Sequence, residues 1–181
     1  SILSHTRDGT PNGIRTDPDS GLVFSPPHFT WMDTNHPAGT PRQGYPVEIQ
    51  ALWIAALRFA ARPLASRLPW AAALAERAGR ALGDLFWLPG RSGFDGAPWL
   101  ADTLRAEPGT PAARAVPEDA LRPNQLLTVT LGVLADRGRA AAVVRACAAL
   151  LVPGGIRSLA DRAVATPLPV RRDGALLNDP S

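Results

Sequence analysis

The sequence has no lysine. All 19 basic residues are arginines, set against 16 Asp and Glu, and only Arg171 and Arg172 are neighbours. The net charge of +3 and the pI near 10.3 therefore come from scattered side chains. Nucleic-acid grooves combine clustered cations with aromatic platforms, so the charge pattern argues against that class. Cysteine is nearly absent too. The one thiol, Cys147, excludes an internal disulfide. Within its alanine-rich run it reads as a small buried hydrophobe, compatible with a reducing compartment. No apolar run approaches the ~20 residues of a membrane span, and the charge-poor stretch from Ala140 to Val152 is too short. No signal peptide is expected from these residues. His5, His28 and His36 lack metal-ligand spacing, so no metal and no cofactor is expected. Neither a glycine-rich phosphate loop nor a Ser-His-Asp pattern is present.

What the chain has in quantity is proline and glycine, 19 and 16, placed between apolar stretches more than inside them. That implies short ordered elements joined by long loops. A 45% hydrophobic content over 181 residues suits one domain with a core of its own. The chain opens at Ser1 and ends in loop-like residues, and the expectation is a piece of a longer protein.

Residues 1–46 show little periodicity. Turn clusters stand at Arg7–Gly13 and Asp17–Gly21, and Leu22-Val23-Phe24 suits one short strand. A helix is predicted from Val47 to about Leu68, with Pro46 at its start and Glu48 in its first turn. Leu52, Trp53, Ala56, Leu57 and Ala60 would form its apolar face, and Pro63 would kink or end it. A second helix is predicted from Trp70 to about Trp87, with Trp70, Leu74, Ala78, Leu82, Leu85 and Phe86 on one stripe. Trp99–Leu104 reads as a short strand. A third helix opens at Arg122-Pro123 and runs to about Leu134, apolar nearly all round and so expected to be buried on both sides. A fourth spans about Arg139 to Leu151, and one turn of helix is allowed after Ile156.

The plan of long loop, inner helix, short connection and outer helix occurs twice, at 22–88 and 95–152. Paired helices of this kind are the unit of a helical toroid. The predicted fold is therefore all-α, a partial (α/α)6 toroid of about two helix pairs, with long loops and short β segments at one end.

The chemistry-bearing residues concentrate on the loops. Asp33 follows Trp31 closely, and a carboxyl desolvated by an indole keeps a proton at neutral pH. The indole itself can stack on the apolar face of a sugar. A second reading stands beside this one, with Asp33 capping a turn and Trp31 filling core. Arg42 can fork onto a carboxylate. Glu48, on the face of Leu52 and near Trp53, would look toward the pocket or serve only the helix dipole. Arg122, Asn124 and Gln125 at a helix start suit hydroxyl or carboxylate ligands, or caps. Asp95 and Asp102, flanking Trp99, default to turn roles.

Thr30-Trp31-Met32-Asp33, the run from Thr40 to Trp53, Arg122-Pro123-Asn124-Gln125 and Gly155–Leu159 together closely resemble the amylo-α-1,6-glucosidase domain of glycogen debranching enzymes. The lead-in residues Gly9-Thr10, Asn12–Ile14, Asp19 and Gly21–Val23 are similar as well, so the resemblance spans nearly the whole chain. It implies inverting hydrolysis of the α-1,6-linked glucose at a glycogen or limit-dextrin branch point, in the cytoplasm. Asp33 would be the general acid, and Trp31, Arg42, Glu48, Trp53, Arg122, Asn124 and Gln125 would bind substrate. An inverting site needs a second carboxyl about 6.5–9.5 Å away to activate water. The glutamate that resembles that base is expected beyond Ser181, and the parts of the domain before and after the chain would be missing. Residues 1–181 would thus be a fragment of one catalytic domain, with a 1–46 active-site loop region and helix pairs at 47–88 and 122–152. The partner would be a branched α-glucan. Two alternatives remain at this point: another toroid glycosidase of trehalase-like or glucoamylase-like type, and a glucan-binding fragment without catalysis.

Overall fold

The computed structural model describes residues 13–32, 42–89, 97–165, 171–172 and 175–176. Asp33, Thr40, Pro41, Asp95, His5, His36 and most of the first turn cluster lie outside them.

Either side of the Asp17 turn the chain forms a two-residue ladder, β1 (Arg15–Thr16) against β2 (Val23–Phe24). The turn is held by the Asp17 carboxylate, which accepts from both Ser20 N and Ser20 Oγ. An antiparallel bridge from Ser25 to Gly44 carries the chain on to β3 (Gly44–Pro46). At Gly44, φ is +127° and an added Cβ would fall on Leu104 O, so only glycine allows this approach. Helix α1 (Val47–Ala60) starts directly from β3, and a run of turns leads to α2 (Ala71–Leu85), which packs against it. Next come β4 (Trp87–Leu88), β5 (Trp99–Leu100), β6 (Thr103–Arg105) and β7 (Val116–Pro117). Strand β4 pairs β5, and β6 lies between β3 and β7. A 3-10 turn at Pro123–Gln125 opens α3 (Leu126–Thr130), and α4 (Arg137–Ala148) follows. The remaining ladders pair β8 (Leu151–Val152) with β9 (Gly155–Ile156), and β10 (Arg171–Arg172) with β11 (Ala175–Leu176).

This architecture corrects the all-α partial toroid. Among the described residues, four α-helices share the fold with five small antiparallel sheets, so the fold is mixed α and β. The strands are two or three residues long, too short to print an alternation in the sequence. The predicted Trp99–Leu104 strand is two strands, broken where Ala101 N bonds Phe86 O and Asp102 N bonds Glu118 O. The long third helix is a 3-10 turn and five α-helical residues, with Gly132 at φ +63° soon after and Leu131 37% exposed. Helix α4 is shifted toward its start, where Asp136 accepts from Arg139 N at 2.8 Å and caps it. No helix follows Ile156 among the described residues.

The buried faces also differ from the expected ones. Helix α1 buries Val47, Glu48, Gln50, Ala51, Ile54 and Leu57, while Leu52 is 49% exposed. Helix α2 buries Ala71, Ala75, Ala78 and Leu82, and Trp70 before it stands half exposed. The face of α1 follows from its neighbours, since it packs against α2 and α3 and meets β2 and β3, which the sequence pattern does not reveal. The main core runs from Leu22 and Phe24 through Ile54 and Leu82 to Leu104 and Val143, and a smaller cluster joins Leu57, Ala71 and Ala75.

Candidate active site

At the junction of β3, α1 and β6 the chain buries charge. Arg42 is 1% exposed and Glu48 is fully buried. All five guanidinium N–H groups have protein acceptors. Nη1 donates to Glu48 Oε1 and, at 3.0 Å, to Thr30 Oγ1. Nη2 donates to Glu48 Oε2 at 2.6 Å and to the carbonyl of Asp102 at 3.2 Å. Nε donates to Asp102 Oδ2 at 2.8 Å. The short link from Arg42 through β3 into α1 makes the fork geometrically easy, since Glu48 lies on the first helical turn.

Asp102, between β5 and β6, is the other hub. Its carbonyl accepts from Val47 N at 2.9 Å, taking up a helix-end donor that no side chain caps. Its Oδ1 accepts from Asn124 Nδ2 at 2.8 Å, and Arg122 Nε lies 3.4 Å from Oδ2. Asn124 Nδ2 also reaches Met32 Sδ. The turn expected of Asp102 is thus corrected to a buried, doubly bonded carboxylate, 2% exposed.

Burial pushes the Glu48 carboxyl above its usual range, opposed by the Arg42 fork. Desolvation alone would lower Arg42, but Glu48 and Asp102 outweigh it and hold the guanidinium charged. Glu118, 6% exposed, is also pushed up, by burial first and then by Asp102, against the pull of Arg122 and Arg105. Its Oε2 is buried and makes no hydrogen bond.

The structure thus gathers Arg42, Glu48, Arg122 and Asn124 around Asp102, beneath the loop that carries Trp31. That indole is 69% exposed, between Thr30 and Met32, which both touch the cluster. Gln125 does other work: its Oε1 accepts from Leu100 N at 2.9 Å, and its Nε2 donates to Arg122 O at 3.1 Å. Trp53 is not brought in. It packs against Leu57, Ala71 and Ala75, and its Nε1 donates to Gly21 O. Glu48 and Leu52 do not share a buried face: Glu48 is fully buried in the Arg42 fork, and Leu52 is 49% exposed. Asp33 lies outside the described residues. Sequence reasoning missed Asp102 and Glu118. A charged residue inside the apolar run from Trp99 to Leu104 was the available signal for Asp102. Glu118 carried none.

Glycosidases work through carboxyl groups, and an exposed indole offers an apolar face with a polar edge. In agreement, the family model that matches residues 1–166 is that of a glycoside hydrolase domain. Its description is Amylo-alpha-1,6-glucosidase, and the chain belongs to that family. No curated protein and no solved structure matched the chain. Among the described residues, no helix is long and apolar enough to cross a membrane.

Proposed function

We propose that this chain contributes the general-acid side of an inverting α-1,6-glucosidase acting at the branch points of glycogen-like glucans. The observation that carries the reading is the exposed Trp31, held at the mouth of a buried carboxylate and carboxamide cluster within a chain of this family. Trp31 would stack on the branch glucose, and Asp33 would protonate the leaving glycosidic oxygen. Arg122 would face the sugar from the opposite loop. Arg42, Glu48, Asn124 and Gln125 already use their polar groups within the protein, so their part is to hold the wall of the site. Residues 1–181 would form part of one catalytic domain in the cytoplasm, with the loop region 1–46 at the site. A glutamate past Ser181 would activate the water.

The test is glucose release from branched dextrin by a protein extended past Ser181. A general acid accounts for roughly 10²–10⁴-fold in rate. Asp33→Asn should lose that much, and an unchanged rate would remove the assignment. Release from α-1,4 or α,α-1,1 linkages at equal rate would move the substrate to another class.

A further inference from the structure

Trp31 is mostly exposed, so contacts of its own ring cannot fix where it stands. Its position depends on the residues either side of it. Thr30 Oγ1 accepts from Arg42 Nη1 at 3.0 Å, and Met32 Sδ is met by Asn124 Nδ2. Both anchoring side chains are nearly buried, and both are themselves held by one residue. Asp102 Oδ2 accepts from Arg42 Nε at 2.8 Å, and Asp102 Oδ1 accepts from Asn124 Nδ2 at 2.8 Å. Just upstream, His28 sits at φ +62°, a left-handed conformation that a non-glycine residue adopts only when its surroundings over-determine it. The turn from Pro26 to Met32 is thus tied down at Thr30 and Met32.

We infer that Asp102 is a positioning residue for the site: its two carboxylate oxygens hold the two side chains, Arg42 and Asn124, that anchor Thr30 and Met32 on either side of Trp31. It need not touch a sugar. The consequence for Asp33 follows by chain continuity, since it is bonded to Met32, and that part rests on the proposed function. A carboxylate is required because both acceptor oxygens face donors. An asparagine at 102 would turn an NH2 group toward either a guanidinium or a carboxamide N–H, and one anchor would be lost.

The experiment is ¹⁹F NMR of the chain labelled with 5-fluorotryptophan, with the Trp31 resonance assigned through Trp31→Phe. Asp102→Asn should move or split the Trp31 resonance and leave Trp53 and Trp70, on the α1–α2 side, unmoved. Asp119→Asn is the control. Asp119 is buried and binds Arg162 Nη2 at 3.0 Å and Ala165 N at 2.9 Å. Arg162 in turn lies 4.7 Å over the Trp99 ring. That variant should disturb Trp99 and leave Trp31 in place. An unmoved Trp31 in Asp102→Asn, or equal movement in both variants, overturns the inference. If Asp102→Asn does not fold, Thr30→Val decides: the Trp31 resonance must shift, and if it stays the anchor does not exist. Affinity electrophoresis in glycogen gels adds a second arm, where Asp102→Asn should bind at least fivefold more weakly. A parent chain with no glycogen retardation would count against the proposed function, while the resonance shift would still decide the positioning role.

Discussion

The two ends of helix α1 follow opposite rules. Its first turn buries Glu48 and Gln50 completely, whereas Leu52 further along is 49% exposed and Phe59 74%. The usual order of polar outside and apolar inside is inverted within one helix. The reason is what lies against each end. The first turn meets β2, β3 and the backbone of Asp102, whose polar groups need partners. Gln50 supplies them to β2, accepting from Val23 N at 2.7 Å and donating to Val23 O at 2.9 Å. A side-chain amide here serves as one rung of a β-ladder. The later turns pack through Leu57 against α2, and Arg58 reaches Gly132 O past the end of α3, while Leu52 and Phe59 stay exposed. Burial in this chain is set by neighbours, and polarity is matched by bonding.

The comparison breaks most sharply at Arg42. Removing one partner of a buried charge pair typically costs about 3–5 kcal/mol. Arg42→Ala strands both Glu48 and Asp102, and should shift the denaturation midpoint by that order; an unchanged midpoint would mean that the cluster does not hold the fold. Glu118 sharpens the contrast, being a buried carboxyl at the same end with no fork on it. Its folded pKa is raised, so the native state binds more protons than the unfolded state above the ordinary glutamate range, ~4.3. Stability then falls as pH rises through that interval. Glu118→Gln should melt higher than the parent at pH 7, and the gap should close by about pH 4, below the interval. Asp102, Arg122, Arg105 and Arg42 are the charges that face it. A gap of the same size at both values would assign the effect to packing. The smallest effect belongs to the far end: Phe59→Gln should change stability by no more than about 0.5 kcal/mol, as read by thermal melting. A large loss would show that the exposed ring is covered in solution.

The elements most legible in the sequence were those with local causes. Pro46 before an apolar helical run placed the start of α1, and the Trp70-to-Trp87 stretch gave α2 nearly to its bounds. The turn at Asp17 and the strand at Val23-Phe24 were legible from short-range chemistry. What failed depended on long-range pairing. Two-residue ladders such as Trp87-Leu88 with Trp99-Leu100 leave no periodic mark. The face of α1 was misread because Leu52 and Trp53 carry the apolar signal, while Gln50 and Glu48 carry the burial. At the site, the capacity of Arg42 to fork onto a carboxylate was legible, and the structure spends that fork on Glu48. Glu48 and Asp102 as the partners, and the number of groups they bind, needed coordinates.

The Arg42 cluster also bears on how the chain reaches its native state. Glu48 is six residues from Arg42, but Asp102 is 60 residues away, and Met32 and Asn124 are 92 apart. Closing the longer loop to Asp102 costs roughly 2 kcal/mol more in chain entropy than closing the short one, by the logarithmic dependence on length. The fork onto Glu48 can therefore form early and in water, while the carboxylate that completes it arrives only once β3 and β6 have paired. A pair formed before that pairing would still be hydrated, and completing the cluster is tied to the long-range pairing of β3 with β6.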